Sequence, residues 1–219
     1  MTLATVTDSR FPNAPKRFPI GEKRPGRPES YLNSAEVVFL LSRRVLIEEK
    51  MDGKPILLTG DRFVLVSEDL KNVHSIRYRI PGRYAVFDVL DLQRNLFLDN
   101  DGKREVIRDA KSGILTLNET KGINIFQVPL LTKGTFEIQD LPKLIGLSAY
   151  AIDVTGQKTF MEGIVVKQDR EHFQVEYLSG KLVRTEFTEG ILVHHTRMRS
   201  RTNIIDPSTS EPSCPLLAK

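Results

Sequence analysis

The chain has 219 residues, a length that suits one domain with short extensions. Its composition, 40% hydrophobic and 27% charged, is that of a globular protein, and no apolar run approaches the ~20 residues that a membrane-spanning helix needs. The formal net charge of +4 favours an anionic partner but does not choose between nucleic acid, a nucleotide and an ordinary basic surface.

The two ends of the chain bear on its location. Residues 1–10 lack the apolar stretch of a secretory signal. The single cysteine, Cys214, excludes an internal disulfide and is consistent with a reducing compartment. We therefore expect a cytoplasmic protein. Residues 1–30 are rich in Pro, Arg and Lys and should be extended, residues 31–200 should form the folded domain, and residues 201–219 should be a disordered tail.

The first half of the domain predicts one short helix followed by strands. Asn33 or Ser34 should cap the helix, which carries apolar residues at 37–41. The apolar run Val45–Glu49 predicts a strand that ends at Lys50. Further strands are predicted at 55–59 and 62–67, joined at a Gly60-Asp61 hairpin turn, and at 84–92, where the apolar residues indicate a central buried strand.

The second half predicts a turn at 100–102, two helices and several strands. The helices are predicted at 103–120 and 140–147, and the strands at 123–131, 164–167, 173–178 and 181–187. Ser179-Gly180 should join the last two strands in a hairpin. Many strands, few short helices and no regular β-α-β alternation predict an α+β fold of mostly antiparallel sheets.

The segment Lys50-Met51-Asp52-Gly53 is the first chemical motif. A lysine at the end of a strand, followed by a turn of small residues, can present its amine to a phosphate. Four-residue patterns recur by chance, so an ordinary solvated lysine is the default interpretation of this motif alone.

Further motifs follow in a fixed order along the chain. They are Glu68, His74-Ser75-Ile76 with Tyr78, the strand Tyr84–Asp91, Val128-Pro129, the run Glu162 to Lys167, and Lys181. With the lysine motif, this order resembles the covalent nucleotidyltransferases, which comprise ATP-dependent RNA and DNA ligases and mRNA capping enzymes. Within them it is most similar to the ATP-dependent RNA ligases.

The resemblance implies a nucleotidyltransferase (ATP-grasp-like) fold with short flanking helices, and adenylyl transfer in three steps. The lysine takes AMP from ATP, the AMP passes to an RNA 5′-phosphate, and a 3′-hydroxyl displaces it to seal the strand. The implied cofactors are ATP and Mg²⁺ or Mn²⁺, and the implied partner is RNA, as a nicked duplex or single-stranded ends.

The resemblance also implies a role for individual residues. The catalytic residues would be Lys50, Lys167 and Lys181, and Glu162 would bind the metal, which prefers oxygen ligands. The nucleotide would be bound by Glu49, Asp52, Gly53, Glu68, Phe87 and Arg184. Phe87 would stack on adenine, although a buried strand residue can equally be ordinary core.

The charges around Lys50 bear on whether its amine is neutral. An amine attacks only as the neutral base, and a free lysine is charged near pH 7. Lys167, Lys181 and the metal ion would be the cations that favour the neutral form. Strand alternation places Glu48, but not Glu49, on the same face as Lys50, and the direction of the Glu48 side chain stays open.

Several alternatives remain at this level. A DNA nick ligase and a GTP-using capping enzyme share the chemistry, and a non-sealing nucleotide-binding or nucleic-acid-binding module is a rival of another class. The non-sealing module is favoured by the short segment 54–67, where RNA ligases carry a longer insertion.

No accessory domain is expected after residue 187, so the chain would be a bare catalytic core or depend on a protein partner. The sequence fits His74 and Tyr78 equally well as core residues or as a functional pair, and it favours a solvated basic end for His194-His195.

Overall fold

A computed structural model describes residues 18–20, 32–117, 124–173, 176–184 and 201–212. These residues form three sheets. Two α-helices and one 3-10 helix lie beside the sheets. The described part of the chain therefore has the expected α+β architecture, with strands that are mostly antiparallel. None of the helices in this part of the chain has the length and apolar character needed to cross a bilayer.

The first sheet carries the lysine motif at the end of one of its strands. Its order is β1-β14-β12-β2-β9, and only the pairing of β1 with β14 is parallel. Helix α1 packs against this sheet through a shared apolar cluster. These elements are β1 (Phe18–Pro19), α1 (Ser34–Leu41), β2 (Val45–Glu49), β9 (Leu130–Gly134), β12 (Gly163–Gln168) and β14 (Ser179–Val183).

The second sheet is built around one buried strand. Every residue of β6 is buried, because apolar clusters cover both faces of the strand, one containing Phe87 and the other Val86. Strand β4 pairs with one edge of β6, and β7 and β8 share the other. Helix α2 packs on this sheet through apolar contacts. These elements are β3 (Lys54–Thr59), β4 (Phe63–Asp69), β6 (Tyr84–Asp91), β7 (Leu96–Phe97), α2 (Asn100–Lys111), β8 (Ile125–Gln127) and β13 (His172–Phe173).

The third sheet is smaller and holds the segment around Tyr78. Its order is β11-β10-β5-β15. The strands are β5 (Arg77–Ile80), β10 (Leu147–Ile152), β11 (Lys158–Phe160) and β15 (Ile204–Ile205), and the 3-10 helix Ile138–Leu144 precedes β10. Strands β10 and β11 were not predicted from the sequence. Tyr78 and Tyr150 of this sheet pack in one cluster with Phe87 of the second sheet.

Several predicted elements agree with the structure. Helix α1 begins after Asn33, whose side chain accepts from the Glu36 N–H while Glu36 accepts from the Asn33 N–H. This reciprocal capping box satisfies two backbone donors that the helix itself leaves unpaired. Strand β2 has its predicted bounds, and β3 and β4 form the predicted hairpin.

Other predictions were wrong. Residues 100–102 are the first turn of α2, because the Asp99 side chain accepts from the Gly102 N–H and caps the helix. The helix ends near Gly113, which has a φ of 77°. The strand predicted at 123–131 is divided between β8 and β9, and Ser179-Gly180 lies inside β14 rather than in a hairpin turn.

The segment 201–212 differs from the expected disordered tail. Within it, β15 pairs in parallel with β5. The Asn203 side chain accepts from the Tyr78 N–H at 2.8 Å and donates to Leu70 O at 2.7 Å. The His194-His195 pair, most of residues 1–30 and residues 213–219 lie outside the described part of the chain.

Candidate active site

Lys50 lies where β2 ends beside β12. Its N–H donates to Gly163 O at 2.9 Å, which continues the pairing of the two strands. Its Nζ lies 2.6 Å from Glu162 Oε2 and 2.5 Å from Oε1. The two side chains are 17% and 7% exposed. The predicted nucleophile and the predicted metal ligand therefore meet in one partly buried ion pair.

Glu162 lies in a region of excess negative charge. Burial raises its pKa to about 7, and the carboxylates of Asp52 and Glu68 act in the same direction while Lys50 opposes them. Three carboxylates thus act on one another around a single ammonium group. Additional positive charge at this position would relieve their repulsion.

Asp52 holds the turn that follows the lysine. Its Oδ2 accepts from the N–H groups of Ser75, at 2.6 Å, and Ile76, at 3.2 Å. Its own N–H donates to the Tyr78 hydroxyl at 3.0 Å. The Lys50-Met51-Asp52-Gly53 motif and the His74-to-Tyr78 run are therefore parts of one hydrogen-bonded unit. Tyr78 is a fully buried anchor for this unit.

Gly53 brings the same turn against the end of β4. A Cβ at this position would lie 2.7 Å from Leu70 Cδ2 and 3.0 Å from both Asp69 O and Glu68 Cβ. Only glycine fits this approach without displacing its neighbours. Glu68 is 8% exposed, and its charge contributes to the raised pKa of Glu162. Both residues therefore lie close to the ion pair, as the motif order implied.

Phe87 and Met51 belong to the same buried cluster, so the predicted adenine-stacking residue packs near the lysine turn. Phe87 is 5% exposed. Val165 and Lys167 share a face of β12 by strand alternation. That face is turned toward the second sheet, because Lys167 Nζ donates to Phe87 O at 2.5 Å.

Lys167 differs from its expected role as a cation beside the nucleophile. Its Nζ lies 2.6 Å from Asp88 Oδ1 and 2.8 Å from Glu48 Oε2. Although burial works against the charge, Asp88 and Glu48 raise the pKa of Lys167 well above its ordinary value. Lys103 forms a second buried ion pair with Glu48. The direction of Glu48, open from the sequence, is toward these two lysines.

Two other predicted residues, Lys181 and Arg184, lie around the pair of strands β12 and β14. Lys181 is half-buried and is the register partner of Val165, which places it on the same face as Lys167. Arg184 donates from Nε to Met161 O at 2.7 Å and lies over the Phe160 ring. Their predicted contacts with the nucleotide remain predictions.

Glu49 points away from the Glu48 side of β2. Its carboxylate accepts from the Ser148 hydroxyl and from the Ala149 N–H at 3.0 Å. Burial raises the pKa of Glu49, and these two hydrogen bonds oppose the shift. The carboxylate is therefore bound to β10, and its expected contact with the nucleotide stays a prediction.

Sequence reasoning missed Lys103 and gave no role to Asp88. A lysine in the first turns of a polar helix is normally exposed, so its pattern carried no signal. Asp88 did carry one, because it is a carboxylate inside an otherwise apolar strand and must be paired when buried. Its partners are Lys167 and the Tyr177 hydroxyl, which donates at 2.7 Å.

A divalent cation fits the chemistry at Glu162. Within the residues that the structure describes, no three His, Cys, Asp or Glu side chains are grouped as a metal site. Mg²⁺ nevertheless commonly binds through one or two carboxylates together with water and substrate phosphates. The mutual repulsion of Glu162, Asp52 and Glu68 supplies the electrostatic reason for such an ion.

The mostly antiparallel sheets form an α+β fold of the nucleotidyltransferase-like kind, with a lysine-carboxylate pair at the end of one strand. The family model described as RNA ligase matches residues 56–183. This is more than half of the chain, and the chain belongs to the RNA ligase family. No curated protein matches the sequence.

Solved structures show the same fold. Naegleria gruberi RNA ligase with pyrophosphate aligns with a TM-score of 0.50 and 13% identity, over 82% of this chain and 62% of that one. A variant of the same ligase with ATP and manganese aligns with a TM-score of 0.50 and 10% identity, over 83% and 62%. The present chain thus spans less than two thirds of the length of these proteins.

Proposed function

We propose that the protein is an ATP-dependent RNA ligase that joins 5′-phosphate and 3′-hydroxyl ends through an AMP adduct on Lys50. The observation that carries this proposal is the ion pair between Lys50 and Glu162, which lies beside Asp52, Gly53 and Glu68. These residues come from three separate stretches of the chain. Membership of the RNA ligase family supports the same reaction.

In the first step, the neutral Lys50 amine attacks the α-phosphorus of ATP. A phosphorus–nitrogen bond forms, the bond from phosphorus to the bridging oxygen breaks, pyrophosphate leaves, and the nitrogen releases one proton to the solvent. Glu162 holds the amine in place before the reaction, and the turn fixed by Asp52 sets the direction of the lysine backbone. Such positioning is a large part of what an enzyme contributes to group transfer.

The remaining residues would hold the nucleotide. Phe87 would stack on the adenine, Glu68 would accept a hydrogen bond from a ribose hydroxyl, and Lys181 would approach the phosphates. A divalent cation at Glu162 would supply charge that stabilises the phosphates and the departing pyrophosphate. In the later steps AMP would pass to an RNA 5′-phosphate, and a 3′-hydroxyl would displace it.

The first experiment is covalent labelling. The protein is incubated with Mg²⁺ and with either ATP or GTP labelled at the α-phosphate, and Lys50→Ala is the control. We expect label from ATP on the wild type and none on Lys50→Ala. Absence of any Lys50-dependent label contradicts the proposal, and label from GTP alone indicates a capping enzyme.

The second experiment tests the partner. The labelled protein is chased with a nicked RNA duplex, with single-stranded RNA ends and with a nicked DNA duplex. We expect AMP release and sealing with RNA ends. Sealing of DNA alone indicates a DNA nick ligase, and labelling without sealing of any of the three indicates that the chain needs a partner domain or acts only as a nucleotide-binding module.

A further inference from the structure

One lysine of helix α2, Lys103, lies in the interior of the protein. Lys103 is 1% exposed, whereas lysines are almost never buried without a partner. Its Nζ forms an ion pair with Glu48 and donates to Phe87 O at 3.2 Å. A buried ammonium group carries a large desolvation cost. The ion pair with Glu48 and the hydrogen bond to Phe87 O offset that cost.

The carbonyl oxygen of Phe87 also accepts a hydrogen bond from a second lysine, Lys167. Lys167 Nζ lies 2.5 Å from the same oxygen and is itself held by Asp88 and Glu48. The two lysines come from different elements, α2 and β12. The backbone of Phe87 is therefore fixed from the helix on one side and from the sheet that carries Lys50 on the other.

This arrangement relates Phe87 to the nucleophile. Glu48, which pairs with both lysines, lies on β2 two residues before Lys50. A continuous set of charged contacts thus links the strand of the nucleophile to the peptide group of the ring that would bind the base. The quartet Glu48, Asp88, Lys103 and Lys167 contains two carboxylates and two ammonium groups, so that their formal charges balance.

We infer that Lys103 is a positioning residue for the nucleotide. By holding Phe87 O and Glu48, it sets the distance and orientation of the Phe87 ring relative to β2, and thereby the space that the base occupies. This inference rests on the proposed function, in which Phe87 stacks on adenine. It assigns to Lys103 an effect on nucleotide binding and not on the transfer of AMP.

The test is single-turnover labelling of Lys50 over a series of ATP concentrations. This gives the half-saturating ATP concentration and the maximal rate separately. For Lys103→Met we expect the half-saturating concentration to rise about tenfold, as for the loss of one charge-assisted hydrogen bond. The maximal rate should stay within about threefold, because no group that touches the reacting atoms has changed.

Two further variants separate positioning from general stability. Ile107→Ala, one turn along the same helix, opens a cavity in the apolar cluster but touches neither Phe87 O nor Glu48. It should leave the half-saturating ATP concentration unchanged at a temperature where circular dichroism shows it to be folded. The double variant Glu48→Gln with Lys103→Met keeps the charges of the quartet balanced, and it should reproduce the rise if the single variant fails to fold.

The outcomes are distinct. A half-saturating concentration within twofold of the wild type in every folded Lys103 variant overturns the inference, as does an equal rise in Ile107→Ala. In either case, labelling of the wild type leaves the proposed function standing. If the wild type is not labelled, the result contradicts both the inference about Lys103 and the proposed function.

Discussion

Asp52 is the residue that binds the lysine turn to the rest of the protein. It accepts two backbone hydrogen bonds, from Ser75 and Ile76, and donates one to Tyr78. The resemblance assigned Asp52 to the nucleotide, whereas in the structure its Oδ2 accepts hydrogen bonds from the protein itself. Its contribution to catalysis should therefore come through the placement of Lys50.

Replacing Asp52 tests this role. Asp52→Ala leaves the N–H groups of Ser75 and Ile76 without their acceptor, so we expect a loss of about 1–3 kcal/mol in the free energy of unfolding and slower labelling of Lys50. Urea unfolding and the labelling assay measure the two effects. Asp52→Asn, which keeps one acceptor oxygen, should retain more of both. Unchanged urea stability in Asp52→Ala would contradict the anchoring role.

The sequence identified most residues near Lys50 but not the contacts they make. Motif order located Glu68 and Glu162, because chemistry requires those residue types. It could not show that Glu48 faces Lys103, since a helix residue 55 positions away leaves no local pattern. It also gave no sign of the two carboxylates that hold Lys167, because spacing along a strand reveals a face but not the groups that lie opposite.

At the scale of elements, the close contact of β12 with β14 depends on Gly163. A Cβ there would lie 2.1 Å from Leu182 O and 2.8 Å from Val183 Cα. Both atoms belong to backbone that cannot move without disturbing the first sheet. Since Gly163 O also accepts from the Lys50 N–H, a shift at this position would reach the nucleophile.

Gly163→Ala should therefore destabilise the protein by about 1–3 kcal/mol, in the range found for overpacking, and reduce Lys50 labelling. The matched control is Gly146→Ala, where a Cβ would meet nothing within 4 Å and the change should stay within about 0.5 kcal/mol. Thermal or urea unfolding of the two variants provides the comparison. Equal stabilities for both would show that β14 adjusts freely.

The elements themselves were partly predictable. Local signals were sufficient to predict three elements. A capping residue predicted the start of α1, an apolar run predicted β2, and a turn signal predicted the β3–β4 hairpin. They failed where tertiary pairing decides the structure. Ser179-Gly180 has the composition of a turn, yet it lies in β14 between two partner strands. Strand β10 begins at Leu147, the last residue of the helix predicted at 140–147, whereas the 3-10 helix ends at Leu144.

For the whole molecule, Glu162 links stability to pH. Its pKa is raised from 4.5 to about 7 in the folded state, chiefly by burial. Between these values the folded state holds a proton that the unfolded state has lost, so the contribution of Glu162 to stability falls as pH rises. At about 1.4 kcal/mol per pH unit for one proton, the total is of the order of 3 kcal/mol.

We therefore expect the stability difference between Glu162→Gln and the wild type to change with pH. Relative to the wild type, the variant should gain stability as pH increases from 4.5 to 7, because glutamine has no proton to lose. Urea unfolding at several pH values in that interval measures the difference. A constant difference across the interval would show that Glu162 titrates near its ordinary value.

The contact of Asn203 with Tyr78 has a consequence for the order of assembly during synthesis. Tyr78 supports the lysine turn through Asp52, and its own N–H is bound by a residue 125 positions later in the chain. Contacts between such distant positions close large loops and form slowly. A nascent chain emerging from the ribosome would thus expose both facing sheets before the support beneath Lys50 is complete, so the turn at Lys50 would be among the last parts of the protein to mature.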